Sequence, residues 1–336
     1  MKSFWHKMKT PILALAPMAG ITDSAFRQIC RQYGADVVYS EMASASALFY
    51  KPEKTLELLK FNQKERPYVI QLFGKNPEHF VKAVKIVTEK IKPDGIDINF
   101  GCPAKKVFAH GSGCALMLDV KLAREIIEVV LQNTTLPVSI KIRAGVHKIS
   151  ALKFIEKIKD LPFQAIMLHG RTYEGGFGGT VDYTLAQKIK KIVPEKIILL
   201  NGGITTPQQA REILKKYPLI DGLGIGRGVL GRPWLFEEIK SLTQCHSREN
   251  GNPENPNNLF TGSRVKPGMT NEYDLKKVTK VILEHAKLIY KDKPQSGPLE
   301  IRKHLAWYVC GFPGASEMRK KLVQTKSLKE IKQILQ

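Results

Sequence analysis

Hydrophobic positions in the first two-thirds of the chain fall into short, nearly unbroken runs. There are eight: Ile12–Ala16, Asp36–Ser40, Tyr68–Leu72, Gly95–Ile98, Val138–Ile142, Ala165–Leu168, Ile197–Leu200 and Gly222–Ile225. Runs this short, rich in Ile, Val and Leu, predict strands buried on both faces. Between most of them the apolar positions recur at helical spacing, over Phe80–Ile91, Lys121–Gln132, Ala151–Lys159, Leu185–Ile192 and Pro207–Lys216. Strands that alternate with helices build a parallel sheet. Eight such units in roughly 230 residues match a closed (β/α)8 TIM barrel. A doubly wound open sheet is the alternative.

Polar positions decide between the two. Nearly every run ends in a polar or glycine-rich signature: Pro17-Met18-Ala19-Gly20, Glu41-Met42, Gln71, Asn99-Phe100-Gly101-Cys102, Lys141-Ile142-Arg143, His169-Gly170-Arg171, Asn201-Gly202-Gly203 and Gly226-Arg227-Gly228. In a barrel all these ends open on one face, where barrel active sites sit. An open sheet concentrates its site at one switch point and needs no functional group on every strand. The barrel is therefore expected, with residues 1–243 as the catalytic domain.

The pattern changes after that. Residues 244–272 are rich in Asn, Pro, Gly and Ser and have no apolar period, so they read as a linker or insertion. Residues 273–336 return to helical spacing, in Leu275–Tyr290, Leu299–Val309 and Glu317–Leu335 with a break in the last. They predict a small all-helical C-terminal domain.

Charge sharpens this division. The 336 residues carry 53 Lys+Arg against 31 Asp+Glu, a formal net charge of +22. The last 64 residues hold +8 of it and the other 272 hold +14, so the tail is more than twice as charge-dense. A polyanionic partner follows, nucleic acid first among them; a solvated lysine surface is the plainer alternative. No apolar run reaches membrane-spanning length, and the first residues contain no stretch of signal-peptide length. The five cysteines, Cys30, Cys102, Cys114, Cys245 and Cys310, form no CxxC pair. Neither a metal site nor a disulfide framework is expected, and a reducing cytoplasmic setting is.

Cys102 stands apart from the other four. Gly101 and Pro103 stop the preceding strand and place the thiol on a turn. Its surroundings (Asn99, Lys105, Lys106, His110) are polar and basic, as for a reactive thiol rather than a packed one.

The stretches LAPMAGITDSAFR (15–27), QLFG (71–74), INFGCPAKKVFAHGSGCALM (98–117), KIRAG (141–145), HGRT (169–172), NGGI (201–204) and GIGRG (224–228) occur in this order. Together with IRKHLAWY (301–308) and Met318-Arg319, they give a chain that resembles the flavin-dependent tRNA-dihydrouridine synthases, most of all their bacterial B-type branch. The resemblance implies FMN in the barrel mouth. Asn201, Gly202, Gly203, Gly226 and Arg227 would hold its phosphate, at the strand ends where barrels commonly bind one. Lys141 and Gln71 would meet the ring's polar edge, Pro17, Met18 and Ala19 its face, and His169 would contact the flavin or the uracil. Gly203 departs from the family, which often has Asp there.

The resemblance also implies the reaction: hydride from reduced flavin to C6 of uridine, and a proton from Cys102 as general acid to C5. Asn99, Arg143 and Arg171 are candidates to orient the base, and Lys105 and Lys106 to guide RNA phosphate. Cys114 is read as packing. NADPH would reduce the flavin by visiting the same face in turn with tRNA, since Gly226–Gly231, a literal GxGxxG, is not followed by the rest of a dinucleotide fold. A monomer is expected. Two alternatives stay open: an FMN oxidoreductase acting on a free pyrimidine or small enone, and an RNA-binding barrel without catalysis.

Overall fold

All eight apolar runs are parallel strands in the computed structural model, which describes residues 3–244 and 274–336. They are β1 (Ile12–Leu15), β2 (Val37–Tyr39), β3 (Tyr68–Phe73), β4 (Gly95–Phe100), β5 (Val138–Val146), β6 (Ala165–Thr172), β7 (Ile197–Asn201) and β8 (Gly222–Ile225). Each pairs with the next, and β8 pairs with β1, so the sheet closes into a barrel. Two short strands lie outside the ring: Ala43–Ser44 extends beside β3, and Ile149–Ser150 folds back antiparallel on β5.

Successive strand side chains point to opposite faces, so alternate residues fill the interior. Near the N-terminal ends the filling is apolar. Ile12, Ala14, Ala16, Val37, Tyr39, Val69, Ala165, Met167, Ile197 and Leu199 form one buried cluster with Trp5, from the short turn Phe4–Lys7. The same parity carried toward the C-terminal ends brings in Gln71, Asp97, Asn99, Ser139, Lys141, Arg143, His169 and Asn201. The interior therefore changes from apolar to polar along the barrel axis, and the chemistry collects at one end.

Several of the surrounding helices start where the sequence supplies a side-chain cap. Asp23 accepts from the Phe26 N–H at 3.0 Å to open Ser24–Gln32, Ser150 opens Ala151–Ile158, and Thr206 followed by Pro207 opens Pro207–Lys216. Such caps stabilise a helix by about 1 kcal/mol each. The helix expected over Phe80–Ile91 begins earlier, at Pro77 behind the Asn76 cap, and its last turn, Val87–Ile91, is a π-helix. Ser24–Gln32 was not evident from the pattern, because polar Arg27, Gln28, Arg31 and Gln32 interrupt its apolar face. That helix is anchored by a fully buried ion pair, Arg27 Nε to Glu65 Oε2 at 2.5 Å.

The chain divides into two compact units, Met1–Gly228 and Val229–Gln336. The second takes in the helix Leu235–Gln244, so the division precedes the boundary expected at 243. Its other described helices are Leu275–Asp292, Gly297–Tyr308, Ala315–Leu322 and Leu328–Leu335. The expected break within Glu317–Leu335 falls at 323–327. The first of these helices buries Val278, Ile282, Ala286 and Ile289, four residues that repeat along one face; Ile301 and Leu305 of the next helix are buried as well. The linker expected at 244–272 lies, apart from Gln244, outside the described residues, as does Cys245. Among the described residues no helix is long and apolar enough to cross a membrane.

Candidate active site

The register of the barrel sets the site. Gln71 lies opposite Asp97, Asn99 opposite Lys141, Arg143 opposite His169, His169 opposite Asn201, and Asn201 opposite Gly224. One polar ring thus lines the C-terminal end from β3 to β8.

Cys102 follows β4 and is clamped through its backbone. Asn99 Oδ1 accepts from the N–H of Gly101 at 2.9 Å and of Cys102 at 2.8 Å. The Cys102 carbonyl accepts from the Cys114 N–H at 3.2 Å and the Cys114 thiol at 3.0 Å. Gly113 makes this approach possible. It has φ +63°, and a Cβ there would lie 2.9 Å from the Cys102 oxygen. Burial pushes the Cys114 thiol up to about 12, which suits a donor that stays protonated. The Cys102 side chain itself is only partly buried.

A line of hydrogen bonds runs inward from this loop. Asn99 Nδ2 donates to Gln71 Oε1 at 2.8 Å, and Gln71 Nε2 donates to Asp97 Oδ2 at 2.7 Å. Ser139 Oγ donates to Asp97 Oδ1 at 2.6 Å. Asp97 is fully buried, and burial raises its carboxyl to about 6 against the pull of those two donors and of Lys141.

Lys141 Nζ contacts Asn201 Oδ1 at 3.3 Å, and Asn201 Nδ2 donates to the Gly224 carbonyl at 2.7 Å. Burial first, then the nearby Arg143, brings Lys141 down to about 8, opposed by Asp97 and Cys102. His169 is held neutral, down to about 2, by burial and by four cations around it: Lys141, Arg143, Arg171 and Arg227. Next to it Gly202 has φ +115°, and a Cβ there would lie 2.6 Å from the His169 ring. Gly203 also has a positive φ, and a Cβ there would lie 2.7 Å from the Tyr183 hydroxyl, so both positions of this turn require glycine.

The arginines also shape one loop. Arg143 is buried; its Nε donates to the Gly101 carbonyl at 2.9 Å, and one terminal nitrogen donates to the carbonyls of Thr172 at 2.9 Å and Gly176 at 3.0 Å. It therefore braces the cysteine loop as much as it faces the mouth. Arg171 Nε donates to the Gly179 carbonyl, and another of its nitrogens contacts His169 Nε2 at 3.4 Å. Arg227 donates to the Phe177 carbonyl at 3.1 Å and lies 4.8 Å from that residue's ring centre.

Of the residues singled out in the sequence, Gln71, Asn99 and Cys102 form one connected line. Lys141 follows directly beside Asn99, and His169, Arg171, Asn201, Gly202, Gly203 and Arg227 continue round the mouth from it. Pro17 and Met18 are half-buried and Ala19 exposed on the loop after β1. Met18 lies alongside Gly226: a Cβ at Gly226 would sit 3.6 Å from its sulfur. Lys105 and Lys106 do not join the ring; they are exposed on the short helix Lys105–Ala109 that follows Cys102. Asp97 and the loop 173–181 carrying Phe177 were missed. Asp97 shares the inward parity of Gly95 and Asn99, which shows only once the strand is placed in the barrel, whereas the four glycines around Phe177 were a signal present in the sequence.

The fold and sequence can be set beside known proteins. The old yellow enzyme from Trypanosoma cruzi superposes with a TM-score of 0.51 over 68% of this chain and 88% of that one, at 10% identity, and so shares the barrel fold. The tRNA-dihydrouridine synthase B of Pseudomonas aeruginosa is 34% identical over 313 residues, 91% of this chain and 86% of that protein. The enzyme of the same name from Pasteurella multocida is 35% identical over 310 residues, with 91% and 86% covered. The family model described as dihydrouridine synthase (Dus) matches residues 14–336, from the first barrel strand through the helical unit and every residue of the site. The chain belongs to the dihydrouridine synthase family.

Proposed function

We propose that this protein reduces uridines in tRNA to 5,6-dihydrouridine, with FMN as its cofactor and NADPH as the electron donor. The observation that carries this is a partly accessible thiol, clamped by its backbone at the end of β4, in the same barrel mouth as four converging cations.

The donor set fits a flavin phosphate and ring. Burial and then Lys141, Arg143, Arg171 and Arg227 keep His169 neutral, and an anion bound among these four cations would offset their charge. The Gly202-Gly203 backbone, with Arg227, is suited to the phosphate. Gln71 and Lys141 present polar groups to the ring's edge, and Pro17, Met18 and Ala19 a largely apolar surface to its face. Bound FMN would supply the hydride for C6 of uracil.

The chain's own residues do the rest. Cys102 holds a proton on Sγ and delivers it to C5, a role that requires the neutral thiol and separates it from a nucleophile. Asn99 fixes the turn that aims the thiol, and Arg143 holds the same turn by the Gly101 carbonyl. Arg171 and His169 line the mouth where the base would enter. A uridine must leave its stack to get there, at a cost of a few kcal/mol. Lys105, Lys106 and the basic helical tail are suited to supply phosphate contacts that offset it. NADPH visits the same face in alternation with tRNA. The protein acts as a monomer in the cytoplasm.

The test is to purify the protein, weigh the released cofactor, and follow NADPH consumption with tRNA, with RNA-free uridine and with neither. FMN and tRNA-dependent turnover are expected. A colourless protein that takes up no FMN, or equal turnover of free uridine, would contradict the proposal.

A further inference from the structure

The line of hydrogen bonds beneath Cys102 has a direction. The N–H groups of Gly101 and Cys102 donate to Asn99 Oδ1, Asn99 Nδ2 donates to Gln71 Oε1, and Gln71 Nε2 donates to Asp97. A side-chain amide has a donor end and an acceptor end, and either could face a given neighbour. An ionised carboxylate only accepts. Asp97 takes the Ser139 hydroxyl on one oxygen and Gln71 on the other. Turning the Gln71 amide over would set its oxygen against the carboxylate and its nitrogen against the Asn99 nitrogen, two like contacts in a dry interior. Asp97, Gln71 and Asn99 are all buried, so no bulk water can relieve such a mismatch.

We infer that Asp97 is a positioning residue for both sides of the site: its carboxylate sets the direction of the Gln71 amide and, through Asn99, the seat of the Cys102 turn. Gln71 keeps one N–H and one lone pair beyond those used in the line. Their direction follows from the contacts to Asp97 and Asn99 and not from a ligand. This rests on the proposed function only for what Gln71 and Cys102 are positioned to do. The seat of the turn can be measured without it.

The measurement is the rate at which iodoacetamide alkylates Cys102 in the purified, cofactor-loaded protein, read on the Cys102 peptide by mass spectrometry, with dihydrouridine formation in tRNA measured alongside. Asp97→Leu has about the right volume and cannot accept. It is expected to change the alkylation rate at least about fivefold and to lower dihydrouridine formation by roughly 10²-fold, the scale of a displaced reacting group. Asp97→Asn can still accept from Gln71 while its nitrogen donates to Ser139, so its alkylation rate should stay within about twofold of the natural protein. An unchanged rate in Asp97→Leu, or an equal change in both variants, overturns the inference. If Asp97→Leu does not fold, Asp97→Asn combined with Ser139→Ala takes its place. The asparagine then has no hydroxyl to hold its direction, and a rate equal to that of Asp97→Asn alone overturns the inference. A natural protein that forms no dihydrouridine refutes the proposed function, while the alkylation rates still judge the seat.

Discussion

At the scale of single residues, Cys102 is a thiol whose backbone is held on both sides, by Asn99 at its N–H and by Cys114 at its carbonyl. Truncating the side chain leaves that frame intact. Cys102→Ala should keep the flavin and tRNA affinity while lowering dihydrouridine formation by about 10²–10⁴-fold, the usual range for a positioned acid. Near-normal activity would contradict the assignment. His169 gives a second expectation. It is held neutral down to about 2, whereas a free histidine takes a proton near 6.5. Below that pH the unfolded chain binds more protons than the folded one, so stability falls as pH falls, by at most about 1.4 kcal/mol per pH unit. His304 shifts in the same direction. Asp97, raised from 3.8 to about 6, opposes them between those values. Urea denaturation should therefore show the natural protein losing about 1–2 kcal/mol more than His169→Asn between pH 7 and pH 5. Equal losses would contradict this. Most of these residues were legible in the sequence because they punctuate strand ends. Asp97 was not, because a buried acid inside an apolar run looks like part of the strand until the inward parity is known.

At the scale of elements, the turn after β7 and the helix after β1 make the sharpest demands. Gly202 has φ +115°, and a Cβ there would lie 2.6 Å from the ring of His169. Gly202→Ala should cost about 1–3 kcal/mol in backbone strain alone and weaken flavin retention; thermal melts with flavin release measure both. Arg27 and Glu65 join the helix Ser24–Gln32 to the turn before β3, both fully buried. Arg27→Met leaves the buried Glu65 without its cationic partner and should destabilise the fold by about 3–5 kcal/mol, much of which Glu65→Leu added to it should recover. The strands were legible because burial on both faces leaves an uninterrupted apolar run. The helix Ser24–Gln32 was not, because its buried face includes Arg27, a polar residue whose partner lies about forty residues away in sequence and is visible only in the fold. The loop around Phe177 was legible only as a glycine-rich stretch: its shape comes from donors far apart in sequence, Arg143 on β5, Arg171 on β6 and Arg227 after β8.

At the scale of the molecule, the last 64 residues carry +8 of the formal net charge of +22. Arg319, Lys320 and Lys321 are exposed on the helix Ala315–Leu322. Changing all three to glutamine should weaken tRNA binding and flatten its salt dependence by roughly 0.7–0.9 log unit for each phosphate that is no longer neutralised. Flavin content should not change, and unchanged tRNA affinity would remove that helix from the interface. The barrel and a helical C-terminal region followed from the pattern of apolar runs. Where the first unit ends did not, because the helix Leu235–Gln244 has ordinary amphipathic spacing and its affiliation depends on packing. The most direct test of the central claim is to incubate the flavin-loaded protein with unmodified tRNA and NADPH and map the product by mass spectrometry. The natural protein should add two hydrogen atoms at specific uridines, and Cys102→Ala should add almost none. No mass gain with the natural protein, or equal gain with both, would contradict it.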